Sequence, residues 1–202
     1  KFAALMVNHN LRAESAEECQ QTARWMAEAG IACHILPWHH HHPVTSNIQA
    51  QAREARYRLL LETCRALGFP ALFLGHHLDD QAETFLLHLG RGSGIRGLSA
   101  MTAVRQQEGI YLCRPFLSLP KKTLQATLES RSHPWLMDPS NDKAEFSRTS
   151  MRILLPQLEN HGIPAQRIGL AAMNLQRARQ ALAYYRNRHL HETVQVHAAG
   201  CY

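Results

Sequence analysis

Residues 75–84, with the sequence G-H-H-L-D-D-Q-A-E-T, concentrate histidine and carboxylate side chains directly after a short apolar run. Residues at the carboxyl end of a parallel strand face the ligand crevice of an α/β sheet, so we expect His76 and Asp80 to meet there. Asp80 offers hard oxygen ligands for Mg²⁺, and His76 can contact phosphate or move a proton. The alternative is that Asp79 caps a helix over residues 81–89 while the histidines fill a turn.

A second segment, residues 91–97, has the sequence R-G-S-G-I-R-G and is rich in glycine and arginine. Glycine lets the backbone approach a phosphate closely, and the guanidinium groups of Arg91 and Arg96 can bind that phosphate through paired hydrogen bonds. A flexible connector has the same composition, so it is the alternative to a phosphate or RNA contact.

Two pairs of arginines occur at helical spacing. Arg53 and Arg56 are three positions apart in a helix-like segment, so both side chains can project from one side. Arg148 and Arg152 are four positions apart, which suits a carboxylate or phosphate partner. For each pair, a solvated and salt-bridged helix surface is the alternative.

Apolar runs at residues 2–7, 31–36 and 71–74 predict three strands. The runs are continuous rather than alternating, which is typical of strands covered on both faces in a parallel sheet. Helix-like segments separate them, as right-handed crossovers between parallel strands require. The sequence therefore predicts an α/β protein with a Rossmann-like parallel sheet, helices on both of its faces, and a helical extension.

The first helix is predicted over residues 15–29, with Ser15 and Glu18 forming a capping box and Gly30 ending the helix. The second helix is predicted over residues 46–67 and also ends before a glycine.

The later part of the chain changes character. A fourth strand is predicted at residues 110–116 and a helix at residues 121–131, whereas residues 133–142 show no period and predict a loop. Residues 163–188 predict a long amphipathic helix, which we expect to pack on its own domain, a coiled-coil contact being the alternative. Its apolar stripe consists of Ala171, Leu175, Ala178, Leu182 and Tyr185.

Composition sets the broad class. Lys and Arg number 22 against 16 Asp and Glu, which gives a net charge of +6 and a pI near 9.3. This balance is compatible with a polyanionic partner such as nucleic acid. No stretch approaches the ~18 apolar residues that a membrane-spanning helix needs. The sequence therefore indicates a globular, cytoplasmic protein.

The potential metal ligands of the chain do not form a recognisable pattern. The five cysteines are widely spaced without a C-x-x-C pair, which favours free thiols in a reducing compartment. Four consecutive histidines, His39 to His42, cannot all face one ion, so we interpret them as an exposed loop.

In this order, the motifs resemble the tRNA(Ile)-lysidine synthase family of N-type ATP pyrophosphatases, which have an adenine nucleotide alpha hydrolase-like fold. The resemblance covers nearly all of residues 1–157. The combination of the matching stretches at residues 75–84 and 91–98 is more specific than either stretch alone. The matching stretches are V-N-H-N-L-R at residues 7–12, A-R-E-A-R-Y at 52–57, G-H-H-x-D-D-Q-A-E-T at 75–84, R-G-S-G-I-R-G-L at 91–98, and D-P-S-N at 138–141.

The resemblance implies a two-step reaction that uses ATP and Mg²⁺. ATP adenylates the C2 oxygen of the wobble cytidine in tRNA(Ile) with a CAU anticodon, and pyrophosphate is released. The amine of L-lysine then displaces AMP, which gives lysidine. The implied partners are this tRNA and L-lysine, with no membrane partner, and a homodimer is left open.

The resemblance also assigns roles to individual residues. Catalysis falls to His76 and Asp80, and Asp80 is also the implied metal ligand. ATP binding is assigned to Arg53, Arg56 and His76. Contact with lysine or the adenylate is assigned to Asp80, Arg148 and Arg152. Contact with tRNA or phosphate is assigned to Arg91 and Arg96.

One family motif is absent from the sequence. The S-G-G-x-D-S phosphate loop is expected before residue 2, so we expect residues 1–157 to be a pyrophosphatase-like domain without that loop, and residues 158–202 to be a helical linker or the start of a second domain. A helix N-terminus with such a loop binds phosphate through backbone N–H groups, so this piece alone is expected to be inactive. The alternatives are a tRNA thiolase-like enzyme, which normally needs paired cysteines, another ATP pyrophosphatase, and a noncatalytic tRNA-binding fragment.

Overall fold

The computed structural model describes residues 2–11, 14–39, 47–136 and 147–194, with side chains from residue 150 onward in the last range. In chain order the elements are β1 (Ala4–Asn8), α1 (Ser15–Glu28), β2 (Cys33–Pro37), α2 (Ile48–Ala66), β3 (Ala71–Phe73), α3 (Leu78–Gly90), α4 (Ile95–Leu98), β4 (Val104–Gln107), β5 (Ile110–Cys113), α5 (Lys121–Ser130), α6 (Ser147–Asn160) and α7 (Ala165–Thr193).

The chain divides into two compact units. The first consists of Lys1–Phe73 with Arg105–Cys113, and the second of Leu74–Val104 with Arg114–Tyr202. The described strands lie in the first unit, apart from Val104, and α3 to α7 lie in the second. Within the part of the chain that the structure describes, no helix is both long and apolar enough to cross a membrane.

Parallel pairing organises the strands of the first unit. β1 pairs with β2 from Ala4 opposite Cys33 onward, and β3 pairs with β5 from Ala71 opposite Tyr111. The described strands form a two-stranded sheet, β1-β2, and a three-stranded sheet in the order β3-β5-β4. The predicted α/β class, the four predicted strands and their parallel pairing are confirmed.

The structure adds one strand that the sequence analysis did not predict. β4 is joined to β5 by Glu108 and Gly109, whose φ angles of 51° and 83° suit the two-residue turn of a tight hairpin. Its sequence, V-R-Q-Q, carries only one apolar residue because the strand lies at the edge of the sheet and three of its four residues are exposed. A polar edge strand leaves no periodic signal to read.

Both helices of the first unit end at the glycine that the sequence predicts. Gly30 and Gly68 each have a φ angle of 70°, a left-handed conformation that glycine adopts without strain. The capping box predicted for α1 is wrong, because Ser15 is the first helical residue and its Oγ donates to Oδ1 of Asn8, at 2.9 Å.

Helix α2 forms the core of the first unit. It packs against β1, β3 and β5, and therefore touches both sheets. Its buried residues follow the helical period and are Ala52, Ala55, Leu60, Leu61 and Cys64. Trp38, which directly follows β2, packs on Ala52 and Ala55, so the aromatic ring fills the space that small residues leave.

Helix α3 is the centre of the second unit, where α4, α6 and α7 pack against it. It begins three residues earlier than predicted, at Leu78. The crossing with α7 is close, because a Cβ atom built on Gly169 would lie 2.6 Å from Cδ1 of Leu78. Since Ile168 and Ala172 are buried there while Leu182 and Tyr185 are exposed, the predicted stripe of α7 is wrong in its C-terminal half.

Candidate functional site

The N-terminus of α3 is built by the G-H-H-L-D-D segment that the sequence analysis singled out. His77 is the N-cap residue, and its Nδ1 accepts from the N–H of Asp80 at 3.4 Å. In return, Oδ2 of Asp80 accepts from the N–H of His77 at 3.0 Å. This reciprocal capping box is closed by Asp80, so the alternative that Asp79 caps the helix is wrong.

Asp79 instead connects α3 to α5. Its Oδ2 accepts from the N–H of Lys121 at 2.7 Å, while the N–H of Leu78 donates to the carbonyl oxygen of Leu119. The hydrogen bond from His77 lowers the pKa of Asp79, and the Lys121 N–H adds to this effect against the opposing effect of burial. The carboxylate is therefore held ionised between two helix N-termini.

His77 has two competing uses for one nitrogen. Its Nδ1 lies 3.4 Å from Oδ2 of Asp79 as well as 3.4 Å from the backbone N of Asp80. A neutral Nδ1 can accept from Asp80, whereas a protonated Nδ1 donates to Asp79. The hydrogen bond to Asp79 raises the pKa of His77 despite the opposing effect of burial. A protonated His77 would therefore face two carboxylates, with Nδ1 toward Asp79 and Nε2 3.5 Å from Oδ2 of Asp80.

Glu83, one turn after Asp80 on α3, is a functional candidate that the sequence analysis missed. Its side chain is 2% exposed, and its Oε1 accepts from Nε of Arg152 on α6 at 2.6 Å. A carboxylate this deeply buried needs a charged partner, and the short distance indicates a charge-assisted bond. The signal in the sequence was its spacing, because positions 80 and 83 share a helix face once the helix starts at Leu78.

A pocket of about 300 Å³ lies beside this pair. It contains three carboxylates, Asp79, Glu83 and Glu159, and two cationic side chains, Lys121 and Arg152. Such a mixture of charges can hold a small zwitterion, with a guanidinium group for its carboxylate and carboxylates for its ammonium group. The residues that line the pocket are His77, Asp79, Glu83, Lys121, Arg152, Leu155, Pro156, Glu159 and Ala165.

The predicted site residues of the second unit are distributed around α3. Arg152 lines the pocket, and Asp80 lies next to it at the start of α3 without being among the lining residues. His76 is half-buried, one residue before the N-cap. Arg148 belongs to α6, but its side chain lies outside the described part of the chain. The D-P-S-N stretch at residues 138–141 and the histidines at 40–42 also lie outside it.

The glycine-rich segment forms the turn from α3 into α4. Gly92 has a φ angle of 66° directly after the end of α3, and a Cβ atom on Gly97 would lie 2.6 Å from Cβ of Ser93. The backbone therefore requires these glycines whether or not a phosphate binds. Arg91 and Arg96 are both exposed, which leaves their guanidinium groups accessible.

In the first unit, the arginines Arg53 and Arg56 make different contacts. Arg56 donates from Nε and Nη2 to Nε2 of His9, at 3.2 and 3.0 Å. Burial and the charge of Arg56 lower the pKa of His9 to about 4, so its imidazole stays neutral and accepts. The His9 ring also meets Trp38 edge-on, at 5.9 Å between centroids. Arg53 instead lies over the ring of Tyr57.

Metal ligands are sparse in what the structure describes. Across residues 2–11, 14–39, 47–136 and 147–194, no three His, Cys, Asp or Glu side chains are grouped to hold an ion. The four cysteines in these ranges are free thiols, as predicted, and burial raises the pKa of Cys19, Cys33 and Cys64.

Known proteins of similar sequence share one description. The chain is 39% identical over 198 residues to the tRNA(Ile)-lysidine synthase of Wolbachia sp. subsp. Brugia malayi, and the match covers 98% of this chain and 46% of that protein. It is 41% identical over 182 residues to the enzyme of the same name from Bradyrhizobium diazoefficiens, and the match covers 90% of this chain and 50% of that protein. It is 44% identical over 177 residues to the tRNA(Ile)-lysidine synthase of Methylobacterium nodulans, and that match covers 88% of this chain and 52% of that protein. The chain spans about half the length of the curated relatives it matches.

A solved structure and a family profile agree on the fold. The U34-tRNA thiolase NcsA from Methanococcus maripaludis, solved with its [4Fe-4S] cluster, superposes with a TM-score of 0.71 at 16% identity, covering 87% of this chain and 61% of the thiolase. The profile of the PP-loop domain matches residues 1–158. The chain therefore belongs to the PP-loop domain family.

Proposed function

We propose that this chain is part of an enzyme that joins L-lysine to C2 of the wobble cytidine of tRNA(Ile) with a CAU anticodon. ATP first adenylates the tRNA with release of diphosphate, and the lysine amine then displaces AMP to give lysidine. The relatives named tRNA(Ile)-lysidine synthase and the PP-loop domain support this assignment. The observation that carries it is the Glu83–Arg152 pair inside a pocket of mixed charge.

The pocket suits an amino acid that must react through its side chain. Arg152 can bind the carboxylate of lysine through paired hydrogen bonds, and Glu83 or Glu159 can bind its α-ammonium group. Both α-substituents would then be fixed, so that the side-chain amine extends away from them. That amine must lose its proton before it attacks, because an ammonium group has no electron pair to donate.

For the adenylation step, the neutral imidazole of His9 positions the guanidinium group of Arg56. His9 accepts two hydrogen bonds from Arg56 and leaves the exposed guanidinium oriented by its neighbour rather than by solvent. A preoriented guanidinium stabilises the charge that develops on a phosphate during adenylation.

Asp80, whose described contacts use Oδ2, can offer Oδ1 as one hard ligand for Mg²⁺. One carboxylate is a usual protein contribution to Mg²⁺ that arrives with nucleotide phosphates, and the ion would neutralise part of their charge.

Lysine transfer to RNA tests the proposal directly. The full-length protein should incorporate labelled L-lysine into a tRNA(Ile) transcript with a CAU anticodon only when ATP and Mg²⁺ are both present. A transcript with a GAU anticodon is the matched control, because it lacks the target cytidine. Transfer of sulfur in place of lysine, or lysine-dependent ATP turnover without any requirement for tRNA, would contradict the proposal and favour a thiolase or a small-molecule synthetase.

A further inference from the structure

Two arginines from different elements lie over one aromatic ring in the first unit. Arg53 on α2 is 5.1 Å from the centroid of the Tyr57 ring, and Arg105 on β4 is 5.9 Å from the same centroid. Both arginines are exposed, and the Tyr57 side chain is half-buried. We call these three residues the arginine–tyrosine stack.

The charges around the stack are unbalanced. Farther along α2, Arg65 donates to Oε2 of Glu108 in the β4–β5 turn at 2.6 Å, so the same helix and hairpin are joined there by a neutral pair. Among the described residues, neither Arg53 nor Arg105 has a carboxylate partner, and Arg105 donates instead to Oε1 of Gln107. Two exposed cations are therefore held near each other without a compensating anion, an arrangement that an added anion stabilises.

The ring attracts both guanidinium groups, whose Cζ atoms lie 5.1 and 5.9 Å from its centroid. A guanidinium that stacks on an aromatic face keeps its N–H groups at the edge of its plane, where they can still donate. Because the side chain is already ordered, less conformational entropy is lost when an anion binds. The stack therefore presents two preordered donors to a ligand that carries successive negative charges.

We propose that the arginine–tyrosine stack binds the phosphate backbone of the RNA substrate, an inference that rests on the proposed function. The chemistry recognised is a chain of phosphodiesters rather than a base, since guanidinium edges on an exposed surface carry no pattern for base discrimination. This use differs from the ATP contact that the family resemblance implies for Arg53. Arg56, which is held by His9, keeps the role on the ATP side.

Tyr57 provides a conservative variant that separates the ring from its hydroxyl group. The Tyr57 hydroxyl is buried and has no hydrogen-bond partner among the described residues. Tyr57→Phe removes that group and keeps the ring face, so it should preserve the stack. Tyr57→Leu keeps the apolar volume and removes the ring face, so it should release both guanidinium groups.

The experiment measures the Kd of the full-length protein for the tRNA(Ile) transcript over a series of salt concentrations, and the Kd for ATP by calorimetry. Arg53→Gln and Arg105→Gln should each weaken tRNA binding by about tenfold and lower the log–log salt slope by roughly one. Tyr57→Leu should weaken binding in the same direction, with Tyr57→Phe close to the unmodified protein. Arg65→Gln removes the same charge from the neutral pair, so it is the matched control and should change the slope little.

Each outcome decides the proposal. Unchanged tRNA affinity and slope in the Arg53→Gln/Arg105→Gln double variant, or a loss of ATP affinity with normal tRNA binding, would overturn it. A failed lysine-transfer assay with stack-dependent tRNA binding would refute the proposed function and leave the RNA contact standing. Normal lysine transfer with tRNA binding that does not depend on the stack would support the proposed function and overturn the RNA contact at the stack.

Discussion

The Nε atom of Arg152 donates to Oε1 of Glu83 across 2.6 Å and joins α6 to a buried face of α3. The two partners differ in their surroundings, because the side chain of Glu83 is 2% exposed and that of Arg152 is 37% exposed. The buried carboxylate of Glu83 therefore has a guanidinium group as a charged partner. Arg152 lines the pocket as well, so one side chain joins the buried carboxylate to the pocket.

We expect Glu83→Gln to weaken lysine binding and to destabilise the fold. The substitution keeps an acceptor for Arg152 but removes the charge assistance of the hydrogen bond, which is worth at most about 1.5–3 kcal/mol because Arg152 is 37% exposed and solvent screens its charge. The KM for lysine should rise by more than about tenfold, since one 1.4 kcal/mol contact is worth that factor. Lysine saturation kinetics and urea unfolding measure the two effects.

The control for this prediction is the exposed pair of Arg58 and Glu62, whose side chains are 55% and 48% exposed. Glu62→Gln should change the free energy of unfolding by less than about 0.5 kcal/mol, because solvent screens such a pair. If Glu83→Gln proved as mild as Glu62→Gln in both assays, the buried pair would have no role in stability or lysine binding.

Asp80→Asn should abolish lysidine formation and leave the fold nearly intact, whereas Asp79→Asn should reduce activity less. An asparagine at position 80 can still accept from the His77 N–H, so the capping box of α3 survives. Loss of one preorganised charge at a reacting phosphate costs about 10²- to 10³-fold in rate. Lysidine formation and thermal melting should be measured on both variants. If Asp79→Asn were the more damaging with both proteins folded, the two carboxylates would exchange roles.

Asp79 and His77 should stabilise the protein within a limited pH window. The raised pKa of His77 makes its contribution complete below 6.5 and lost as pH rises through the folded-state value. The lowered pKa of Asp79 makes its contribution complete above 3.8 and lost as pH falls through the folded-state value. The melting temperature of the unmodified protein should exceed that of Asp79→Asn most between about pH 4 and 6.5. A difference that grew above pH 8 would contradict this assignment.

The sequence predicts those features that depend on local signals. Gly30 and Gly68 mark helix ends because a left-handed backbone favours glycine, and continuous apolar runs mark β1, β2 and β3. The expected covering of both strand faces is wrong for β2, because three of its five residues are exposed. Features that depend on distant partners are not predicted. Ser15 bonds to Asn8 rather than capping its own helix, since a strand residue competes for its hydroxyl group.

In the candidate site, too, residues with a local signal are predicted from the sequence, whereas residues whose importance depends on distant contacts are not. The segment around Asp80 is predicted from its residue types and spacing, and Arg152 from its helical spacing of four positions from Arg148. Glu83 was missed because its importance lies in the contact with α6, almost seventy positions away in the sequence. Arg105 was missed because β4 carries no apolar period, and only its packing beside Tyr57 distinguishes it from other surface arginines.

His9 should make stability depend on pH in the opposite direction to His77. Its folded-state pKa of about 4 lies below the ordinary value of 6.5, so the unfolded chain binds more protons between these values. Stability from this group is therefore complete above pH 6.5 and falls as pH drops toward 4. His9→Gln keeps an acceptor for Arg56 and cannot titrate, whereas His9→Phe keeps the ring and loses the acceptor. We expect the melting temperature of His9→Gln to fall less than that of the unmodified protein between pH 6.5 and 4, and the KM for ATP to rise in His9→Phe with partial rescue in His9→Gln. If the melting temperatures of the unmodified protein and His9→Gln fell equally between pH 6.5 and 4, the titration of His9 would not affect stability. If the KM for ATP were equal in His9→Phe and His9→Gln, His9 would not position Arg56.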